Sequence, residues 1–339
     1  MSPWGKANSF RVLLGLCVLT CASGALGQSS LDDVHVTPRE TNVDVAKADF
    51  AATATVARAG PATLMRTSVD LVLVPVTITD GLNRPVVGLE QSNFELFEGK
   101  KAQPIKHFSG EDTPVSLGII VDTSGSMGDK MDRAREAVIQ FCETANPQDE
   151  FFMITFSDEP RLATDFTSSP DELENELLFT RSKGRTALLD AIYMGIRKMR
   201  EAKYGRKALL VISDGGDNHS HYSEREVHSA IKEADVMIYS VGTFENFVST
   251  EEELLGPEML QGIAELTGGR AFTLTNANDM PAVTHSIGTQ LRHQYVLAYQ
   301  PASGAHDGKW HKISVKLKLP GKLALLRVTA RPGYYFGGE

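Results

Sequence analysis

The apolar run Val115-Ser116-Leu117-Gly118-Ile119-Ile120-Val121 is followed at once by Asp122-Thr123-Ser124-Gly125-Ser126-Met127. An acid, two hydroxyls two residues apart and a glycine that permits a tight turn therefore leave the end of one strand. Hard divalent cations take oxygen ligands, and Mg²⁺ favours octahedral geometry at about 2.1 Å while keeping several waters. The alternation of side chains aims Asp122, Ser124 and Ser126 towards one concavity, where a carboxylate and hydroxyls would fill part of such a shell.

Other chemistries fit these residues less well. An aspartyl nucleophile for phosphoryl transfer would want a second Asp two residues on, and Ser124 holds that place. A serine nucleophile needs a positioned base, and Gly125-Ser126-Met127-Gly128 breaks the Gly-x-Ser-x-Gly spacing. No catalytic residue is assigned, and the chain is not read as an enzyme. His219 and His221 beside Asp217 invite comparison with zinc ligands. There is no His-Glu-x-x-His helix and no further His or Cys cluster, so this reads as a polar loop ordered by Asp217 and Asn218. Gly242 and Gly268-Gly269 form neither a Gly-x-Gly-x-x-Gly motif nor a P-loop. Phe244, Phe247 and Val248 read as a tucked loop after a strand.

The elements that must hold these residues are legible as alternating strands and helices. After Val115–Val121, a helix is predicted near 130–145, where Ala134, Ala137, Val138, Phe141 and Cys142 share one face. Strands follow at 151–156, 208–213, 236–241 and 271–274, with helices near 171–179, 187–199, 224–234, 257–266 and 279–292. This order predicts a doubly wound, mostly parallel α/β sheet with helices on both faces. Ligands of such sheets bind beyond the carboxyl ends of the strands, at the switch in strand order. The residues after Val121, Phe156, Ser213 and Val241 are thus the ones to inspect. Strand-like runs at 69–79, 93–98 and 105–108 precede this body, and others at 294–299, 312–319 and 323–330 follow it. Each flank is small for independent stability, so the two are expected to pair into one flanking β subdomain.

The Asp-x-Ser-x-Ser stretch closing the first strand of such a body resembles the von Willebrand factor type A (VWA) family, over about residues 113–290. The resemblance implies a metal-ion-dependent adhesion site that adds a Thr from a second loop and an Asp after a later strand. Those positions match Thr186 in Gly184-Arg185-Thr186-Ala187 and Asp214 in Ile212-Ser213-Asp214-Gly215. It further implies Mg²⁺ or Mn²⁺ as cofactor, Ser124, Ser126 and Thr186 near the metal, and Asp122 and Asp214 acting largely through water. An open position would accept an Asp or Glu from a protein partner. Arg185 departs from the small residue common there and adds a guanidinium at the rim. The flanks look like those of exported bacterial proteins described as VWFA-related, often from Acidobacteria. The segments concerned are Gly88-Leu89 to Phe94-Glu95-Leu96, Gln294–Pro301 and Arg331-Pro332-Gly333-Tyr334-Tyr335. The alternative reading is an envelope or assembly component in which a metal only stabilises the fold.

Composition sets the outer bounds. The 339 residues carry 34 Lys+Arg against 43 Asp+Glu, a net charge of −9, where a nucleic-acid binder would show a basic face. Residues 1–27 read as a signal peptide: Lys6 and Arg11 precede the apolar run Val12–Leu19, and Ala25-Leu26-Gly27 offers small residues for cleavage. That run is short for a membrane span of about 20 residues, so the mature protein is expected in the periplasm or outside the cell, without an integral span. Cleavage would leave Cys142 as the sole cysteine, so the exported chain would hold together without an internal disulfide. Residues 28–67 read as a tether, 68–112 and 291–339 as the flanking β segments.

Overall fold

The structure, a computed structural model, describes residues 71–214, 216–244, 251–301, 308–319 and 326–335. The expected signal peptide and tether lie outside the described residues, as do Phe247 and Val248. Four strands open the described chain: β1 (Val72–Thr79), β2 (Phe94–Glu98), β3 (Lys101–Gln103) and β4 (His107–Ser109). The α/β body follows as β5 (Ser116–Asp122), α1 (Met131–Cys142), β6 (Glu150–Phe156), β7 (Pro160–Thr167), α2 (Pro170–Leu178), α3 (Leu188–Lys198), β8 (Lys207–Ser213), α4 (Glu224–Glu233), β9 (Met237–Thr243), α5 (Glu251–Thr267), β10 (Ala271–Leu274) and α6 (Met280–Arg292). Four strands complete it: β11 (Tyr295–Tyr299), β12 (Trp310–Leu317), β13 (Arg327–Ala330) and β14 (Gly333–Tyr335).

The body is a six-stranded sheet in the order β10-β9-β8-β5-β6-β7. All neighbours run parallel except β7, which pairs antiparallel with β6 through an irregular register. Every residue of β5 is buried, as a central strand covered on both faces requires. Its side chains alternate between two cores. Leu117, Ile119 and Val121 pack with α1, α2 and α6, while Ile120 packs with α3, α4 and α5. Gly118 is needed between them, because a Cβ there would lie 2.4 Å from both Leu209 and Phe152 side chains.

The apolar face read for α1 is buried as expected, Cys142 included, and burial pushes its thiol up to about 12, which makes it a packing residue. Helix α1 lies against α6, where Thr284 Oγ1 donates to the Ala137 carbonyl at 2.7 Å. Helix α5 starts six residues earlier than Pro257, which had marked its expected beginning, and carries that proline inside it.

The flanking strands form two four-stranded sheets, β13-β1-β11-β4 and β14-β12-β2-β3. Strands from before and after the body interleave: β1 pairs with β11 and β13, and β12 with β2. Between the sheets lies one apolar core that includes Val74, Leu96, Leu297, Tyr299 and Ile313. The expected pairing of the two flanks is therefore present, with β3 and β14 as additional short strands.

The sandwich is tied to the amino ends of the body's strands. Gln294 Nε2 donates to Thr77 Oγ1 at 3.0 Å and to Tyr239 Oη at 3.3 Å, joining β1 to β9. Arg292 bridges Asp149 at 2.9 Å and Asp112 at 3.2 Å. The Arg292–Asp149 pair is buried, and opposite charges buried together are costly to separate. The carboxyl ends of β5 and β8 point the other way and stay clear for a site.

Candidate metal site

Strand order reverses at β5, with β6 on one side and β8 on the other. Loops leaving β5 and β8 diverge there, which is the crevice such sheets use for ligands. Asp122 ends β5 and is fully buried. Its Oδ1 accepts from the Ser124 N–H at 2.8 Å and its Oδ2 from Ser213 Oγ at 2.5 Å. Burial pushes the Asp122 carboxyl up to about 6, although the Ser213 and Ser124 bonds favour its charge; nearby Asp214 opposes it.

Gly125–Met127 form one tight turn before α1. Within it Ser124 Oγ and Ser126 Oγ are hydrogen-bonded at 3.1 Å. Ser126 Oγ donates to Asp214 Oδ1 at 2.8 Å, so the loop after β8 meets the turn after β5. Lys130 Nζ donates to the other oxygen, Asp214 Oδ2, also at 2.8 Å.

Thr186 arrives on a third loop. The Lys183 N–H donates to the Thr123 carbonyl at 2.9 Å and the Gly125 N–H to the Gly184 carbonyl at 3.0 Å. Gly184 has φ +82°, and a Cβ there would fall 2.5 Å from Asp158 Oδ2, so glycine alone suits this approach. Thr186 is buried and held by its backbone. Its N–H donates to Asn218 Oδ1 at 2.9 Å, and its carbonyl accepts from the Asn218 and His219 N–H groups. This spends none of the hydroxyl's own capacity.

Asp122, Ser124, Ser126, Thr186 and Asp214 thus sit on three loops stitched together by hydrogen bonds. The donor set is all oxygen, with two carboxylates and three hydroxyls, which fits a hard cation such as Mg²⁺ or Mn²⁺. Asp122, buried with no cationic side chain bonded to it, is also the kind of charge that a cation relieves.

Two participants were not singled out in the sequence: Lys130 and Ser213. Ser213 had a signal, a lone hydroxyl ending an apolar strand whose neighbour ends in Asp122. Asp217 and Asn218 order the loop through side-chain-to-backbone bonds, Asn218 to the Thr186 N–H and Asp217 to the first turn of the preceding helix α3. Asp217 Oδ1 accepts from the Leu189 N–H at 3.2 Å. His221 Nδ1 faces Asp190 Oδ2 at 2.9 Å. Among the described residues no group of three or more His, Cys, Asp or Glu is placed to hold a metal. Phe244 is half-buried against the core under α5, as a tucked residue would be.

A mostly parallel α/β sheet with helices on both faces and an oxygen-rich crevice at its switch point is a doubly wound, Rossmann-like arrangement, the class of fold in which ligands are taken at that end. The particular family follows from comparison: residues 117–216 match the sequence model of the von Willebrand factor type A domain, and the chain carries such a domain. Domains of this class mediate protein–protein interaction and are typically not enzymes. Among curated proteins the chain is similar to the inter-alpha-trypsin inhibitor heavy chain H4 of Bos taurus, 28% identical over 116 residues. That match spans 31% of this chain and 13% of the bovine protein. Among solved structures, a von Willebrand factor type A protein from Catenulispora acidiphila aligns over 79% of this chain and 74% of its own, at 12% identity and TM-score 0.47. Proximal thread matrix protein 1 of the mussel byssus, with a zinc-occupied MIDAS motif, aligns over 57% and 50%, at 17% identity and TM-score 0.45. Among the described residues no helix is long and apolar enough to cross a membrane.

Proposed function

We propose that this chain is an exported protein whose VWA domain binds a protein partner through a divalent cation. Mg²⁺ or Mn²⁺ would be held by Asp122, Ser124, Ser126, Thr186 and Asp214. The observation that carries the reading is the hydrogen-bonded run from Ser124 Oγ to Ser126 Oγ to Asp214 Oδ1, at 3.1 and 2.8 Å, beside buried Asp122. When bound, the cation supplies a hard acceptor site for a carboxylate oxygen. The residues do the rest. Ser126 is exposed beside buried Ser124 and opens the crevice to solvent. Arg181, Lys183 and Arg185 are exposed on the loop that brings in Thr186, and their charge favours an acidic partner over a basic one. Export rests on the leader-like residues 1–27.

Thermal unfolding after EDTA, with Mg²⁺ or Mn²⁺ titrated back, tests the metal. At 100 times its Kd a ligand stabilises by about 2.7 kcal/mol, a rise of roughly 5–10 °C for a chain this size. The rise should saturate in the natural protein and be missing in Asp122→Ala. A flat titration in both would favour the envelope-assembly reading, in which the sandwich is the working part.

A further inference from the structure

The Asp214 carboxylate, its side chain wholly enclosed, already has a cation on it. Its Oδ2 accepts from Lys130 Nζ at 2.8 Å, and the Lys130 side chain is itself only 14% exposed. Lys130 immediately precedes α1 and follows the turn that carries both serines. Its ammonium is thus fixed on the far oxygen of the carboxylate whose near oxygen accepts from Ser126 Oγ. We propose that Lys130 is a positioning residue that sets the affinity of this site for divalent cations, holding it low and leaving the loaded site positively charged. This rests on the metal reading above.

The argument is one of charge at short range. Asp122 and Asp214 supply two negative charges and Lys130 one positive. With the lysine, a dication leaves the cluster with one positive charge to offer a carboxylate. Without the lysine it leaves none. The ammonium also repels any dication that the serines and Asp214 hold, and in a crevice of low effective dielectric that repulsion is strong at such distances. Before a metal arrives, the same ammonium compensates Asp214, so the crevice is preformed rather than assembled by the metal.

The test is Mn²⁺ titration of the mature full-length chain, followed by calorimetry and by loss of the free-ion Mn²⁺ spin resonance signal. Lys130→Met keeps the side chain's length and removes its charge. It should bind Mn²⁺ about tenfold more tightly or better, while Lys130→Arg should bind as the natural protein does. A merely structural lysine would lower the melting temperature in EDTA and leave Mn²⁺ affinity unchanged or weaker, and that result in a folded variant overturns the proposal. Lys130→Gln, which retains a donor for Asp214, serves if the methionine variant does not fold. Tight binding by Lys130→Met with none in the natural protein would also support it. Absence of saturable binding in every variant, matching Asp122→Ala, would defeat the metal reading and this inference with it.

Discussion

Asp122→Asn is expected to stabilise the metal-free protein at neutral pH while abolishing its response to divalent cations. Burial raises the Asp122 carboxyl from 3.8 in an unfolded chain to about 6. A group raised in this direction contributes stability that is full below the unfolded value and is lost as pH rises through about 6. At pH 7.5 the folded, metal-free protein therefore carries a buried carboxylate at a cost of about 3 kcal/mol, at about 1.4 kcal/mol per pH unit. Asparagine keeps an oxygen for the Ser124 N–H, and Ser213 Oγ can accept from its amide. Urea unfolding in EDTA should show the two proteins nearly equal at pH 4 and the asparagine variant about 3 kcal/mol more stable at pH 7.5. A variant no more stable than its parent at pH 7.5 would refute the account of Asp122 as a strained anion awaiting a cation.

Gly268→Ala should destabilise the chain more than a methyl added at any other left-handed glycine among the described residues. Gly268 has φ +75°, and a Cβ would come within 2.2 Å of the Arg331 nitrogen and 2.3 Å of the Ala330 carbonyl carbon. These are backbone atoms that cannot swing away, and they belong to the end of β13 and the segment linking it to β14. Backbone strain of about 1–3 kcal/mol then adds to an overpacking cost of similar size. The melting temperature should fall by roughly 10 °C. Gly88 is the control: it has φ +81° but open space around it, so alanine there pays only the conformational part. Equal losses at both positions would mean that the approach of β13–β14 to the α5–β10 turn is not a tight one.

Much of the fold was legible because its central strands are buried on both faces and therefore read as apolar runs. β5, β6, β8 and β9 all show it. β7 was not legible for the complementary reason. It is an edge strand, half-exposed, opens on Pro160 and carries Arg161 and Asp165, and only its antiparallel pairing with β6 defines it. The start of α5 was misplaced because proline usually opens a helix, whereas Pro257 lies inside this one. In the site, Asp122, Ser124 and Ser126 declared themselves by spacing alone. Thr186 and Asp214 were reached through family resemblance, since nothing local ties them to a strand end far away in sequence. Lys130 gave no sign: a lysine between Asp129 and Met131 reads as a solvated charge. Only the strand crossover that brings β8 beside β5 delivers it to Asp214.

The interleaved sandwich governs how the molecule bears a pull. Tension applied through the chain before β1 and after β14 enters two strands of the sandwich, and β1 is paired directly to β13. The body between β4 and β11 lies off that line of force, so the metal crevice would keep its shape while the sandwich resists. A partner tugging on the crevice loads a different path, through β5 and α6 to the junction held by Gln294 and Arg292. Single-molecule stretching from both ends should therefore release the sandwich first and the α/β body in a later, separate event. The reverse order would show that the body carries the load.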